Sequence, residues 1–403
     1  MPPDADVLVI GAGPAGSATA ALLARHGVRV LLVDKAVAPP PKVCGEYLSP
    51  GCHPILDRLG ALTALREAGA RPLHGMRIHT ARGRTLEAPY PGGGQAAAGS
   101  PQALSVRRSL LDPVLLDCAV KSGATFQPGF QASDLFWQDD RVAGVHGRQG
   151  GQPILYRAPL VVGADGRQSV VARRIGAMRP HPWLDRMALV AYLSGVSRAD
   201  ANGEIFLGRD RYAILNPIAP DLTNVGVVVP RCDLPHGADP RRAFWTLAAG
   251  IPGLAPRLTA AQLVVPVRCL GPLAHRATRL AVPGALLVGD AAGFLDPFTG
   301  EGIYTALRSA ELAAQHVLAQ TSARAYAEGW HREFAPKWRL TVLLHRALRR
   351  PWLAEALVCV LSRRPGLTGT LMAAFGDLLS PDDLRGLRFL PRLVRSVGGE
   401  VTR

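Results

Sequence analysis

Cys44-Gly45-Glu46-Tyr47 sets a thiol, a carboxyl and a phenol along four consecutive positions, inside the loop-like sequence PKVCGEYLSPG. Groups of these types can attack, ligate a metal, pair as a disulfide, give up a proton or simply wall a cavity. Tyr212 offers a further phenol downstream. The six cysteines (44, 52, 118, 232, 269 and 359) form no CxxC pair, so no zinc knuckle or thioredoxin-type motif is available. Reduced thiols in a cytoplasmic enzyme are the simplest expectation. Three other constellations carry chemistry. Gly11, Gly13 and Gly16 punctuate GAGPAG; Asp165 stands in GADGRQS; Asp290 opens GDAAGFLDPFTGEGI.

The elements that must position these groups can be read from the apolar pattern. Residues 6–10 form a β-branched run that leads straight into the glycines, residues 17–24 read as a helix, and residues 28–33 as a second buried strand ending at Asp34. This is a βαβ unit with an acid about 20 residues after a GxGxxG turn, the arrangement of a dinucleotide site. Gly11 permits the tight turn, Gly13 lets backbone approach a diphosphate, and Gly16 lets helix and strand pack closely. The diphosphate would sit on the helix N-terminus, and Asp34 would accept from a ribose diol. Residues 160–162 and 286–288 repeat the grammar of an apolar strand delivering an aspartate among small residues, and 301–319 reads as a long amphipathic helix. Between them, residues 188–193, 204–207, 212–215, 225–229 and 263–267 read as strands separated by turns. The stretch 91–102 reads as a loop, and from Glu311 onward the chain is expected to be helical.

Composition narrows the class. With 403 residues and 48% hydrophobic content the chain can bury a large core. Net charge is +15, yet 42 of 46 basic residues are arginine and few lie in runs, so nucleic acid is not expected as a partner. Arginine also suits ligands with two phosphates. Residues 331–403 carry 13 basic and 6 acidic side chains among apolar ones, a pattern open to a helical cap or to peripheral contact with an anionic membrane.

GAGPAG, GADGRQS and GDAAGFLDPFTGEGIYTALRSAELAA, in this order, resemble the three FAD motifs of the flavoprotein hydroxylase superfamily. That group includes para-hydroxybenzoate-hydroxylase-like monooxygenases, flavin-dependent halogenases and geranylgeranyl reductases. The CGE triplet and the DPFTGEGI run most resemble the reductase branch; the likeness covers about residues 4–320. It implies that Gly11, Gly13, Ala15, Gly16, Asp34 and Lys35 hold the ADP half of FAD, and that Arg108, or its neighbour Arg107, contacts the phosphate or ribityl region. Asp165 would line the diphosphate side, while Gly289 and Asp290 would meet the ribityl chain. Pro297, Gly300, Glu301, Gly302 and Ile303 would pass the flavin ring, with the backbone amides of Gly300, Glu301 and Gly302 stabilising its reduced, anionic form. Cys44 and Gly45 would reach the ring and the substrate cavity.

The resemblance implies an α/β fold, with a Rossmann-like FAD-binding domain (1–72, 106–178 and 276–325) interleaved with a β-sheet substrate domain. The latter comprises an excursion at 73–105 and an antiparallel portion at 179–275, and residues 326–403 follow as a helical region. Ile214 and Asn216 replace aromatics common in the reductases, so the pocket wall differs from theirs. The halogenases' glycine-rich lysine segment and Trp-Ile-Pro motif are not evident. No second GxGxxG exists, so NAD(P)H is expected as a transient reductant. The expected activity is reduction of a double bond in a hydrophobic prenyl or polyketide-type substrate, with Cys44, Glu46, Tyr47 and Tyr212 as candidate proton donors. Hydroxylation using dioxygen is the alternative, and non-catalytic prenyl binding, as in GDP-dissociation inhibitors, a remoter one.

Overall fold

The computed structural model describes residues 2–40, 42–91, 101–234 and 236–386. Residues 92–100, most of the expected loop, and the tail beyond residue 386 lie outside the described residues.

The strand Val7–Ile10 occupies the centre of a parallel sheet, paired with Val30–Asp34 on one side and Leu160–Gly163 on the other. Thr125–Pro128 and Ala285–Leu287 extend the sheet in parallel, and Ala281–Val282 closes one edge in antiparallel sense. All residues of the central strand are buried, as coverage on both faces requires. The helix Pro14–Ala24 is built largely of alanine and glycine. Its small side chains allow close packing of the helices Arg108–Lys121 and Gly302–Leu318 against it. Gly16 packs the helix start as tightly onto the preceding turn, since a Cβ there would fall 1.8 Å from the Gly11 carbonyl oxygen.

A second, mixed sheet stands over the carboxyl ends of the first. Its path runs Gln262–Leu263, Arg186–Ser194, Leu222–Pro230, Tyr212–Ala219, Asn202–Leu207, Gly75–His79, Thr85–Pro89. Neighbours are antiparallel except Asn202–Leu207 and Gly75–His79, which run parallel. The strands expected at 188–193, 204–207, 212–215 and 225–229 all form, each longer than its apolar run. The strand expected at 263–267 does not. It breaks into Gln262–Leu263 and Arg268–Leu270, with Val264 and Val265 left 53% and 40% exposed. Pro266 between them has no amide hydrogen for the ladder.

The C-terminal helices Ala323–Leu348, Pro351–Arg363, Pro365–Phe375 and Pro381–Gly386 wrap back over both sheets. Trp330 and Phe334 join the core under the parallel sheet, whereas Val358, Leu361, Leu371 and Met372 pack with Leu86 of the second sheet and with Leu73 and Tyr90 beside it. Much of the apolar surface in this region is thus occupied by the protein's own body. Among the described residues no helix is long and apolar enough to cross a membrane.

Candidate active site

A cavity of about 690 Å³ lies between the carboxyl ends of the parallel strands and the second sheet. Its wall starts with the glycine turn. Gly11 has φ +103° and its Cβ would fall 2.5 Å from the Ala164 carbonyl oxygen, so conformation and space both demand glycine. Gly13 faces open space apart from the Lys42 ammonium, 3.2 Å from where a Cβ would be. Gly11, Gly13, Ala15, Asp34 and Lys35 all line the cavity. Gly16 does not, acting through helix packing instead. Asp34 accepts the amide hydrogens of Ala12 and Ala36, each at 2.8 Å, which fixes its carboxylate at the strand end.

Cations gather along the same wall. Arg108, and not Arg107, lines it, its guanidinium held by Asp112 through two bonds of 2.6 and 2.7 Å. Asp112 is fully buried and also faces Lys42 at 3.5 Å, so one carboxylate orients two cations. Opposite stand Asp165 and Asp290. Asp165 Oδ2 accepts the Val170 amide at 2.6 Å at the start of the helix Val170–Arg174, which Ser169 caps, while buried Oδ1 has no hydrogen-bond partner among the described residues. Burial raises the pKa of both aspartates; at Asp290 the charges of His275, Arg167, Arg108 and Lys42 oppose that rise.

The run expected to pass the flavin divides its tasks. Pro297, Gly300, Gly302 and Ile303 line the cavity. Gly300, at φ +68°, lies against the Tyr47 ring, where a Cβ would come within 2.5 Å. The Glu301 side chain accepts from Thr299 at 2.5 Å and from Thr341 at 2.9 Å, tying the turn to the helix Ala323–Leu348. Gly289 stands behind the wall, its amide donating to Ser309 at 2.8 Å. Gly289, expected to meet the ribityl chain, is thereby corrected to a support behind the wall, and the Glu301 side chain, for which no contact with the ring was expected, fixes the turn.

The Cys44-Gly45-Glu46 segment lines the cavity and is held there by Asn216, already expected at the pocket wall, and by Asn224, which the sequence did not single out. Asn216 donates to the carbonyls of Gly45 (2.9 Å) and Glu46 (3.0 Å), and Asn224 to that of Cys44 (2.9 Å). The two asparagines face each other across adjacent strands. Their signal was a polar side chain within an otherwise apolar strand, which burial obliges to find partners. Glu46 adopts φ +54°, a left-handed conformation costly for a residue with a Cβ. Its Oε1 accepts from the Tyr192 hydroxyl at 2.5 Å and the Arg108 amide at 3.0 Å, and its buried Oε2 has no hydrogen-bond partner among the described residues.

The other candidate donors are already engaged. Tyr212 is corrected outright: it is 2% exposed, bonds Asp296 through its hydroxyl, and is not among the cavity-lining residues. Tyr47 and Tyr90 bond each other through their hydroxyls. Cys44 Sγ accepts the Glu46 amide at 3.2 Å, and burial pushes its thiol pKa up although Arg108 opposes this. It is a neutral thiol, and no disulfide joins it to another cysteine. The wall contributed by the second sheet is largely apolar, including Met76, Ile78, Ile205 and Val228. Met372 and Phe375 add a contribution from the C-terminal helix Pro365–Phe375 that the sequence did not announce.

The chain belongs to the FAD binding domain family, which it matches over residues 4–329. It is 28% identical over 406 residues to the menaquinone reductase of Mycolicibacterium smegmatis, covering 94% of this chain and 93% of that protein. It is also 31% identical over 328 residues to the 6-methylpretetramide 4-monooxygenase of Streptomyces rimosus, covering 78% and 75%. A solved flavin-dependent brominase, Bmp2, shares the fold with a TM-score of 0.83 at 21% identity, over 97% of this chain and 99% of that one.

FAD fits the residues present. The glycine cradle leaves room for a diphosphate, Lys42 and Arg108 supply charge for it, and the buried Asp165 Oδ1 lacks a partner that a cofactor hydroxyl or amide can provide. The protein is an FAD-dependent oxidoreductase.

Proposed function

We propose that the enzyme reduces a carbon–carbon double bond in an apolar chain of prenyl or polyketide type, with NADH or NADPH meeting the cofactor transiently. The observation that carries this reading is the continuity of one cavity from the nucleotide turn to a chamber walled by Met76, Ile78, Ile205, Val228, Met372 and Phe375. Such a wall recognises length and shape but offers few polar anchors, as a hydrocarbon chain requires. The alignment with menaquinone reductase supports the same reading. At 94% coverage of the 403 residues it must include the helix that brings Met372 and Phe375.

FAD, when bound, would supply the hydride-transfer chemistry between a nicotinamide and the substrate. The chain's own residues hold and orient. Lys42 and Arg108 would face the diphosphate, Asp34 the ribose, and Asp290 the ribityl chain, and the amides opening the helix Gly302–Leu318 would present positive dipole to the ring. The apolar wall keeps water from the reacting carbons.

A second reading, hydroxylation, is favoured by the 31% identity to the Streptomyces monooxygenase. Anaerobic incubation of the holoenzyme with NADH or NADPH and menaquinone as probe separates the two. Formation of a reduced product without dioxygen is expected; product only in the presence of dioxygen would favour the monooxygenase.

A further inference from the structure

We propose that Glu46 is the acid that delivers the proton in this reduction, from Oε2, with Tyr192 as its positioning partner. The inference rests on the double-bond reductase reading. Adding hydrogen across a double bond takes a hydride at one carbon and a proton at the other. The π electron pair forms the bond to the proton, and the hydride brings the electrons for the other bond, from the nicotinamide-reduced flavin. The second requirement is a protein O–H at the cavity wall.

Glu46 meets it on geometry. The residue lines the cavity, is 1% exposed, and stands beside Cys44 and Gly45 at the junction of the cationic and apolar walls. Oε1 already accepts two hydrogen bonds, from Tyr192 at 2.5 Å and from the Arg108 amide at 3.0 Å. A proton on the carboxyl group therefore belongs on Oε2, the oxygen without a protein partner. The left-handed backbone at Glu46 and the clamp from Asn216 and Asn224 hold the segment in place, an arrangement that core packing alone does not require. Proton loss leaves a carboxylate still held by Tyr192 and the Arg108 amide, and solvent restores the proton between turnovers.

The electrostatics agree. Burial raises the Glu46 pKa, while the Tyr192 hydroxyl, the Arg108 amide and the charges of Arg107 and Arg108 moderate it. Cys44, the other titratable neighbour, is a neutral thiol that accepts from the Glu46 amide. A carboxyl raised toward the working pH is a better acid than a phenol held between partners.

The test compares native and Glu46→Gln holoenzyme anaerobically, with NADPH as reductant and menaquinone as probe, alongside FAD affinity of each apoprotein by fluorescence titration. The proposal expects unchanged FAD affinity and near-native flavin reduction by NADPH, with product formation down about 100-fold. FAD affinity lost in proportion to turnover makes Glu46 a cofactor ligand and overturns the proposal. Product formation by Glu46→Gln matching an anaerobically active native enzyme overturns the proton step alone. Native enzyme that forms product only with dioxygen overturns the reductase reading and the proton step with it. Tyr192→Phe gives an independent arm. Activity needs protonated Glu46, so it falls as pH rises through that pKa, and removing a donor to the carboxylate moves this limb to higher pH; an unmoved limb contradicts the assignment.

Discussion

Glu46 and Glu204 are equally hidden, 1% and 2% exposed, yet their surroundings differ in kind. Glu204, in the strand Asn202–Leu207, receives both arms of Arg257 at 2.6 Å and the His79 ring at 2.8 Å, with Arg77 at 3.8 Å. These partners outweigh burial and hold its pKa down at about 2. Glu46 has no cation bonded to its carboxyl and one oxygen unpartnered, and burial prevails there, raising its pKa. Burial alone therefore does not make a carboxyl reactive; the partners left unmatched decide it. The first carboxyl holds the sheet together, and the second is available to a substrate.

The sharpest way to break the comparison is Arg257→Ala. Glu204 then keeps its burial but loses its main cation, and about 3–5 kcal/mol of stability is expected to go, read by denaturant unfolding, with FAD content per folded molecule unchanged. The pH dependence has a definite sign. A depressed pKa means that the stability supplied by Glu204 is present above its unfolded value and is lost as pH falls from about 4.5 toward 2. Native protein should show that loss, and Arg257→Ala much less of it.

Asn216→Ala tests the clamp on the other carboxyl. Two hydrogen bonds to the loop carbonyls disappear, for an expected loss of about 1–3 kcal/mol and a larger proportional loss of turnover, measured on the same preparation. Unchanged turnover would detach loop position from function.

Glu46→Gln should show the opposite stability pattern from any change at Glu204. Because the folded pKa of Glu46 is raised, its favourable contribution is complete below the unfolded value and is lost as pH rises through the folded one. The variant should therefore gain on native protein with rising pH, by about 1.4 kcal/mol for each unit separating the two pKa values. Cys44→Ser is the smallest change. A neutral thiol that only walls the cavity should be replaced with turnover kept within about threefold, roughly 0.7 kcal/mol of barrier. Loss of turnover with flavin retained would make the thiol chemically active.

The difference between the two sides of the cavity also governs what the sequence disclosed. The nucleotide side is written in contiguous motifs, because a turn, a helix start and a strand end impose local demands: Gly11 needs positive φ, Gly16 needs the absence of a Cβ, and Asp34 must end a strand. Asn216, Asn224 and Tyr192 reach the Cys44 loop only because strand pairing brings positions nearly 150 to 180 residues apart together, as their sequence separations of 170, 180 and 146 show. A polar side chain in an apolar strand signals that a partner is needed, but nothing local says which one. Met372 and Phe375 were hidden for the same reason, in a tail whose apolar residues suited a cap or a membrane equally. Tyr212 misled by type, since a phenol near a pocket-forming strand reads alike whether its hydroxyl faces a substrate or Asp296.

The most direct test of the contrast between the two carboxyls is the infrared carboxyl stretch of Glu46, isolated by subtracting the spectrum of Glu46→Gln from that of native enzyme and followed against pH. The account predicts a protonated-carboxyl band that persists above the ordinary glutamate value of about 4.3, with no such band in the corresponding Glu204→Gln difference. A Glu46 band that vanishes at or below that value would contradict it.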